Sequence, residues 1–336
     1  MRTNKLYEKL KNFIKNNYKF LIIYSVLLLL FTVRLDYEVY TPGGLSNLNK
    51  RVIVEDGYTS KGSLNLTYVN AKKGIIPMIL LSYVVPSWDL VSLDDQRIED
   101  EEYEDIVLRG KIDLKSVKAN AVISAFKEAN LNYDIVNTDL TVYYVFNNSV
   151  TNLKVGDIIK SVDGVNFSSL SEFKSEINKK NVGDTVNFKV IRNGKETIKT
   201  GKVYESEGSK LIGIYITSVM EVSTDKEVTF KFKSNESGSS GGVMSALEVY
   251  NQLTSYDITK GKVISGTGTI DSDGVVGEIA GVKYKLKGAV KNKADAFIVP
   301  SENYDEAYDL VKENNYKIKL IEAKNLHQVL EELKNL

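Results

Sequence analysis

The chain has 336 residues, with 44 basic and 44 acidic side chains, one histidine and no cysteine. The lack of cysteine excludes thiol proteases, disulfide frameworks, thiolate zinc sites and iron–sulfur clusters, and a single histidine excludes a multi-histidine metal site. A formal net charge of zero argues against nucleic acid as the main partner, because that binding depends on a surplus of basic side chains. The length predicts about two domains, and 43% hydrophobic residues suffice for packed cores.

The beginning of the chain combines a basic tail with an apolar run. Residues 1–19 carry six basic side chains against one acidic side chain, and residues 20–33 carry no charge. A basic flank before an apolar run orients the run with its N-terminus in the cytoplasm. We therefore predict a cytoplasmic tail at 1–17, a transmembrane anchor at 18–36 and an extracytoplasmic remainder. A cleaved signal peptide and a buried core helix remain alternatives, because fourteen helical residues span roughly 21 Å and a bilayer core measures roughly 30 Å.

The following stretch, residues 37–111, shows an irregular pattern. Strands are predicted at residues 64–69 and 75–85, and the second is either buried or directed towards a surface, because its prolines and its length argue against a second membrane span. A helix is predicted at 116–131, with Ser116 as its N-cap.

Residues 112–205 combine short strands with one further helix. The segment Leu153–Ile159 followed by Ser161–Gly164 resembles PDZ domains of the bacterial protease-associated type. The resemblance implies a groove between the strand near 141–146 and the helix near 169–178, where an extended peptide adds as a strand. It assigns peptide binding to the strand residues Val142, Tyr143, Tyr144 and Val145. A β-rich spacer without a ligand is the alternative.

A serine- and glycine-rich segment, Glu236–Gly242, lies between a predicted strand at 228–232 and a predicted helix. Its composition alone is typical of a flexible linker. A serine at a strand-to-helix turn, however, lies among backbone N–H groups at a helix N-terminus, which can stabilise an oxyanion. The glycines on both sides let a substrate backbone approach closely. Anion binding at this turn is a further alternative.

A serine nucleophile needs a base, and His327 is the only imidazole. It lies on a predicted terminal helix beside no other catalytic candidate, so an ordinary surface histidine is the simpler interpretation. The other common base is a lysine kept neutral by burial. In the predicted helix at 282–291, Lys283, Lys287 and Lys291 form a solvated stripe, and Lys285 lies apart from it.

These two regions together resemble the Lon-type Ser-Lys protease domain. The resemblance is carried by the nucleophile segment Gly238–Gly242 and by Gly266–Asp271, Gly274, Val276–Gly281 and Lys285 in the same order and spacing. With the anchor and the PDZ-like domain in front, the chain resembles the membrane-anchored, PDZ-containing Lon-like proteases of Gram-positive bacteria, including those that trim secreted peptide pheromones.

The resemblance implies roles for individual residues. Ser240 would be the nucleophile, Lys285 the general base and Thr267 a hydrogen-bond partner of the lysine, with the oxyanion held by N–H groups in the turn that contains Gly238 and Gly241. The family usually has proline before the serine and alanine after it, where this chain has Ser239 and Gly241. These departures keep a second hypothesis open, a catalytically inactive adaptor that binds peptides through its PDZ domain.

The predicted fold is an α+β multidomain protein with an N-terminal transmembrane helix, a PDZ-like β-rich domain at 112–205 and a Lon-type proteolytic α/β domain at 206–336. Residues 37–111 are expected to pack on the proteolytic domain. The predicted activity is ATP-independent endoproteolysis of extracytoplasmic peptides or unfolded proteins. No cofactor, metal or nucleic acid is expected. No nucleotide is expected either, since the sequence contains no GxxxxGK[ST] phosphate loop.

Overall fold

The computed structural model of the protein describes residues 2–99 and 101–336. This part of the chain contains both helices and strands. The helices are α1 (Arg2–Thr32), α2 (Ile76–Ser82), α3 (Tyr103–Glu128), α4 (Leu170–Asn178), α5 (Gly242–Leu253), α6 (Val282–Lys291), α7 (Tyr304–Glu313) and α8 (Leu326–Lys334). The strands are β1 (Arg34–Asn47), β2 (Val52–Val54), β3 (Ser63–Ile75), β4 (Asp89–Ser92), β5 (Tyr133–Val145), β6 (Ile158–Val162), β7 (Val165–Asn166), β8 (Thr185–Arg192), β9 (Lys195–Lys202), β10 (Tyr204–Ser206), β11 (Ser209–Leu211), β12 (Ile214–Thr224), β13 (Val228–Phe230), β14 (Val263–Gly266), β15 (Ala296–Pro300) and β16 (Lys319–Ala323).

One compact unit contains the chain up to Pro42 together with Asn70–Gln96. Its helix α1 is long and apolar enough over Lys5–Thr32 to cross a membrane, and none of its most apolar window is buried. The predicted apolar helix is therefore present, but it ends at Thr32 because the chain enters strand β1 at Arg34.

The predicted strand at 75–85 is wrong. Residues Ile76–Ser82 form helix α2, which has a proline in its first turn. Proline is tolerated there because the first N–H groups of a helix have no acceptor within the helix. No residue of α2 is buried. The buried-strand interpretation failed because an apolar run of this length has no periodicity that separates a strand from a helix.

The second unit contains Gly43–Val69 and Arg97–Leu336. One of its sheets has the order β12-β5-β6-β8-β9 and encloses a core with Phe173, Ile177 and Phe188. Strand β12 lies beyond the predicted domain end at 205 and pairs with β5 along nearly its whole length. Pairing between strands that are distant in sequence leaves no signal in the sequence around either strand. The predicted boundary at 205 therefore excluded a strand that belongs to the sheet.

Helix α3 is longer than the sequence pattern indicated and crosses the predicted boundary between 111 and 112. Ser116 is not its N-cap, because it lies inside the helix, where its hydroxyl donates to the carbonyl oxygen of Ile112 at 3.2 Å. The helix begins at Tyr103 and carries Glu104 and Asp105 in its first turn, where carboxylates interact favourably with the helix dipole.

The C-terminal sheet of this unit has the order β16-β15-β14-β3-β1. Strand β14 lies parallel to β15 on one side and parallel to β3 on the other. Leu48, Val52 and Leu64 share a buried core with Val243 and Leu247 of α5. Residues 43–69 therefore supply strands and core side chains to the C-terminal domain, which is more than the packing contact expected from the sequence.

Candidate active site

Lys285 is buried on helix α6, with 5% of its surface exposed. The helix begins after Gly281, which has a left-handed φ of 76°, and Lys285 lies in its second turn. As the periodicity predicted, Lys283, Lys287 and Lys291 are exposed on the same helix. Burial lowers the pKa of Lys285 to about 8, because desolvation disfavours the ammonium form.

Thr267 connects the lysine to the serine-containing turn. It directly follows β14 and is fully buried, and its hydroxyl accepts a hydrogen bond from Lys285 Nζ at 3.1 Å. The same hydroxyl donates to the carbonyl oxygen of Ser240 at 3.0 Å. One threonine thus touches both candidate catalytic residues, although they lie 45 positions apart in the sequence.

Ser240 lies in the turn before α5 and is half-buried. Its carbonyl oxygen also accepts the N–H of Gly268 at 2.9 Å, and Gly241 forms a parallel bridge with Gly268. Within residues 2–99 and 101–336, the N–H groups of Ser240 and Gly241 donate to no protein acceptor. They lie at the N-terminal end of α5, where the helix dipole favours negative charge, so they can receive an oxyanion.

Two positions in the turn require glycine, each for a different structural reason. Gly238 has a φ of 93°, in the left-handed region that favours glycine, and donates its N–H to the carbonyl oxygen of Gly110 at 2.7 Å. Gly242 has a steric reason, because a Cβ there would lie 2.6 Å from the backbone nitrogen of Ile270. Gly242 was not among the predicted site residues, and its place in the glycine run was the only available signal.

Arg51 is a residue of the site region that the sequence did not reveal. It forms an ion pair with Glu236, four positions before Ser240, and its guanidinium lies 5.0 Å from the ring centre of Phe232. The carbonyl oxygen of Arg51 also accepts the N–H of Lys231. The segment that leads to the serine turn is therefore held at several points by a residue far away in sequence.

His327 lies on α8 and is largely exposed, with Nδ1 3.1 Å from a carboxylate oxygen of Glu128 on α3. Its neighbourhood contains Lys127, Asp273 and Ser124. This arrangement is a surface contact between two side chains and agrees with the interpretation of His327 as an ordinary surface histidine.

The predicted peptide-binding residues Val142, Tyr143, Tyr144 and Val145 lie on β5, which is not the edge of its sheet. Val142 donates to the carbonyl oxygen of Asp157 and accepts from the N–H of Gly156, both at 2.8 Å, and it is paired with Ile216 of β12 on the other side. A strand with both sides occupied cannot take an added peptide. The assignment of Val142 to strand addition is therefore wrong.

The edge strands of this sheet are β12 and β9, and β12 is the one that pairs with β5. Strand β11, which comes just before it, contacts α4, and Lys210 of β11 donates to the carbonyl oxygen of Asn178 at 3.0 Å. Ile212 and Ile216 are buried in the same core as Phe173 of α4. The beginning of β12 therefore lies beside the helix that the sequence assigned to the groove.

Two protein families match the chain. The PDZ domain family matches residues 117–200, and the Lon protease (S16) C-terminal proteolytic domain matches residues 233–335. The second match contains Ser240, Thr267 and Lys285. No curated protein matches the chain.

Solved structures of two PDZ domains are also similar to part of the chain. The PDZ domain of an SdrC-like protein from Listeria monocytogenes is 31% identical, covering 23% of this chain and 86% of that one, with a TM-score of 0.22. The corresponding domain from Listeria innocua is 32% identical, covering 23% of this chain and 92% of that one, with a TM-score of 0.22.

Proposed function

Because the chain is a PDZ-containing Lon-like serine protease, we propose that Ser240 is its nucleophile and Lys285 its general base. The observation that carries this assignment is the hydroxyl of Thr267, which bonds both Lys285 Nζ and the carbonyl oxygen of Ser240. Burial favours the neutral amine that a base requires, and the lowered pKa near 8 leaves a useful fraction of it at neutral pH.

In this mechanism, Ser240 Oγ attacks the scissile carbonyl carbon and its proton passes to the neutral amine of Lys285. The N–H groups of Ser240 and Gly241 stabilise the oxyanion of the tetrahedral intermediate. The ammonium of Lys285 then protonates the leaving amine as the peptide bond breaks and the acyl-enzyme forms. Water then attacks the acyl carbonyl carbon while Lys285 takes its proton, and the lysine returns this proton to Ser240 Oγ as the ester bond breaks and the carboxyl product leaves. Thr267 orients the lysine throughout.

We further propose that the PDZ domain captures an extended peptide along the edge of β12 near Ile212–Ile216. A free edge offers unpaired N–H and C=O groups to an incoming strand, and the adjacent helix α4 supplies the second wall of a groove.

We propose that α1 anchors the protein in the cell membrane with its N-terminus in the cytoplasm, and that proteolysis takes place on the extracytoplasmic side. The basic side chains before the apolar run support this orientation. Because the sequence contains no phosphate loop, the proposed substrates are peptides or unfolded segments that need no ATP-driven unfolding.

The experiment that tests this function is digestion by the full chain in detergent micelles without nucleotide. Unstructured casein is expected to be cut into peptides, while a tightly folded globular protein of similar size remains intact as the matched control. Added ATP should not change the rate. Cleavage that requires ATP, or no cleavage of casein under any condition, would contradict the proposal.

The pH dependence of the reaction follows from the burial of Lys285. Since the neutral amine is the active form, kcat/KM is expected to rise with pH and to reach half its plateau near pH 8, with about a tenfold fall per pH unit below that point. Initial rates on a fluorogenic peptide without titratable side chains measure this profile. A rate that is flat from about pH 6 to about pH 9 would show that no group with this pKa acts as the base.

A further inference from the structure

The apolar helix α2 is unusual because its hydrophobic side chains face outward. Leu80 is 63% exposed and Val84 is 76% exposed, and Leu81 and Tyr83 are also exposed. Residues 74–88 carry no charge at all. A contiguous exposed apolar patch of this kind marks a surface that is covered by a membrane or by another molecule.

One face of α2 is occupied by the protein itself. A Cβ at Gly74 would lie 3.0 Å from Cγ1 of Ile79 and 3.2 Å from the carbonyl oxygen of Tyr37, so Ile79 covers the strand pair beneath the helix. At 3.6 residues per turn, Leu80 and Leu81 are rotated about 100° and about 200° away from Ile79, and Val84 lies in the turn after the end of α2. The exposed patch is therefore formed by the side of α2 away from Gly74 together with the turn that follows the helix.

The strand register places this helix close to the end of α1. Gly43 of β1 lies against Tyr68 of β3, and Gly74 of β3 lies against Tyr37 of β1, so the two strands run in opposite directions. Continuing this register brings Ile76, where α2 begins, level with Leu35, shortly after α1 ends at Thr32. Helices α1 and α2 also contact each other.

We infer that α2 is a second membrane contact, which lies in the interface of the bilayer leaflet where α1 emerges. This inference depends on the proposed anchoring by α1, because the chain leaves the bilayer at Val33 and returns to the same level at Ile76. A lipid bilayer fits the patch better than a protein partner, because the proposed anchor α1 already places a bilayer beside α2. The surrounding residues have the character of an interface, with exposed Arg34 and Lys72 suited to anionic headgroups.

Aromatic residues strengthen this assignment. Tyr83 directly follows α2, Tyr37 is exposed at the level where the helix packs, and the only tryptophan of the chain is Trp88. Tyrosine and tryptophan are enriched at membrane–water interfaces, because their rings are apolar and their polar groups remain hydrated. The helix thus combines an apolar face with an interfacial border.

A fluorescence measurement on the full chain in lipid vesicles tests the inference. Because the chain has no cysteine, Leu80→Cys provides a single site for an environment-sensitive fluorophore, and Val150→Cys, at a position 67% exposed in the PDZ region, is a matched control. The vesicles contain phosphatidylcholine and phosphatidylglycerol with a nitroxide either near the headgroup or near the end of the acyl chain.

We expect strong quenching at position 80 by the shallow nitroxide, weaker quenching by the deep one and none at position 150, because an interfacial helix lies about 5–10 Å into the headgroup boundary. Adding Leu81→Asp and Val84→Asp should abolish the quenching and leave casein cleavage unchanged. If vesicle flotation retains the chain but position 80 is unquenched, α2 is not in the interface while anchoring by α1 stands.

If the chain does not float with vesicles, anchoring itself fails and the inference fails with it. If the fluorophore at position 80 reports an apolar environment that depends on the number of protein molecules per vesicle, and the nitroxides do not quench it, a second copy of the chain covers the patch. This result also overturns the inference. Casein cleavage measured in the same samples reports on the Ser-Lys mechanism separately, because none of these positions belongs to the site.

Discussion

Replacement of Ser240 by alanine is expected to lower kcat/KM for peptide cleavage by about 10³-fold or more, because the acyl-enzyme can no longer form. Ser239→Ala is the matched control. Both hydroxyls lie in the same half-buried turn, but only Ser240 has its carbonyl oxygen bonded to Thr267 and Gly268. The control variant should keep most of the activity.

Rates on a fluorogenic peptide and labelling by a serine-directed covalent probe measure this difference. We expect mass spectrometry to locate the probe on Ser240 in the wild-type chain and in Ser239→Ala. The result that would overturn the assignment is the reverse pattern, in which Ser239→Ala is inactive and Ser240→Ala is labelled and active.

Replacement of Lys285 by methionine is expected to abolish cleavage and to stabilise the fold. Methionine keeps the length of the buried side chain without its amine, so no base remains to accept the proton of Ser240. We expect kcat/KM to fall by about 10³-fold or more. Lys285→Arg should not restore it, because a guanidinium stays protonated.

The stability gain follows from the lowered pKa. The folded pKa near 8 lies below the ordinary value of 10.5, so the unfolded chain binds more protons between these values and stability rises with pH across that range. Below about pH 8 the full penalty of burying the amine is present, on the order of 3 kcal/mol. Lys285→Met removes this penalty, and the gain should shrink as the pH approaches 10.5.

Chemical denaturation at pH 7 and at pH 9.5 measures the two stabilities, where the pH values bracket the folded pKa. Lys287→Met on the exposed side of the same helix is the control and should change neither activity nor stability by a comparable amount. An active Lys285→Met variant would exclude this lysine as the base, and an equal loss of stability at both pH values would show that its burial is not costly.

The burial of Lys285 among exposed lysines could be predicted because its signal is local. The four-residue recurrence of Lys283, Lys287 and Lys291 separated Lys285 from the solvated stripe, and the structure buries Lys285 and exposes the other three. The lack of cysteine excluded a thiol nucleophile, and the single histidine limited the possible bases, before any geometry was available. These signals belong to composition and helical periodicity, which do not depend on the partner segments.

Other features could not be predicted because they depend on segments distant in sequence. Arg51 holds Glu236 across 185 positions, and no pattern around either residue indicates the pairing. The assignment of Val142 to strand addition failed for the same reason, since strand β12, which covers β5, follows it by about seventy residues. The direction of the apolar face of α2 depends on the register of β1 and β3.

The sequence by itself determined which residue types are available for catalysis, the apolar N-terminal helix and the order of the PDZ and Lon-type regions. Composition is a property of the whole sequence and periodicity is a property of nearby residues, so both can be evaluated without knowledge of the fold. Only the tertiary structure decided that β12 and not β5 lies at an edge of its sheet, how residues 43–69 enter the C-terminal core, and that Thr267 hydrogen-bonds both Lys285 and Ser240. Those contacts depend on burial and on backbone pairing between segments that are distant in sequence. Only folding brings such segments within hydrogen-bonding distance.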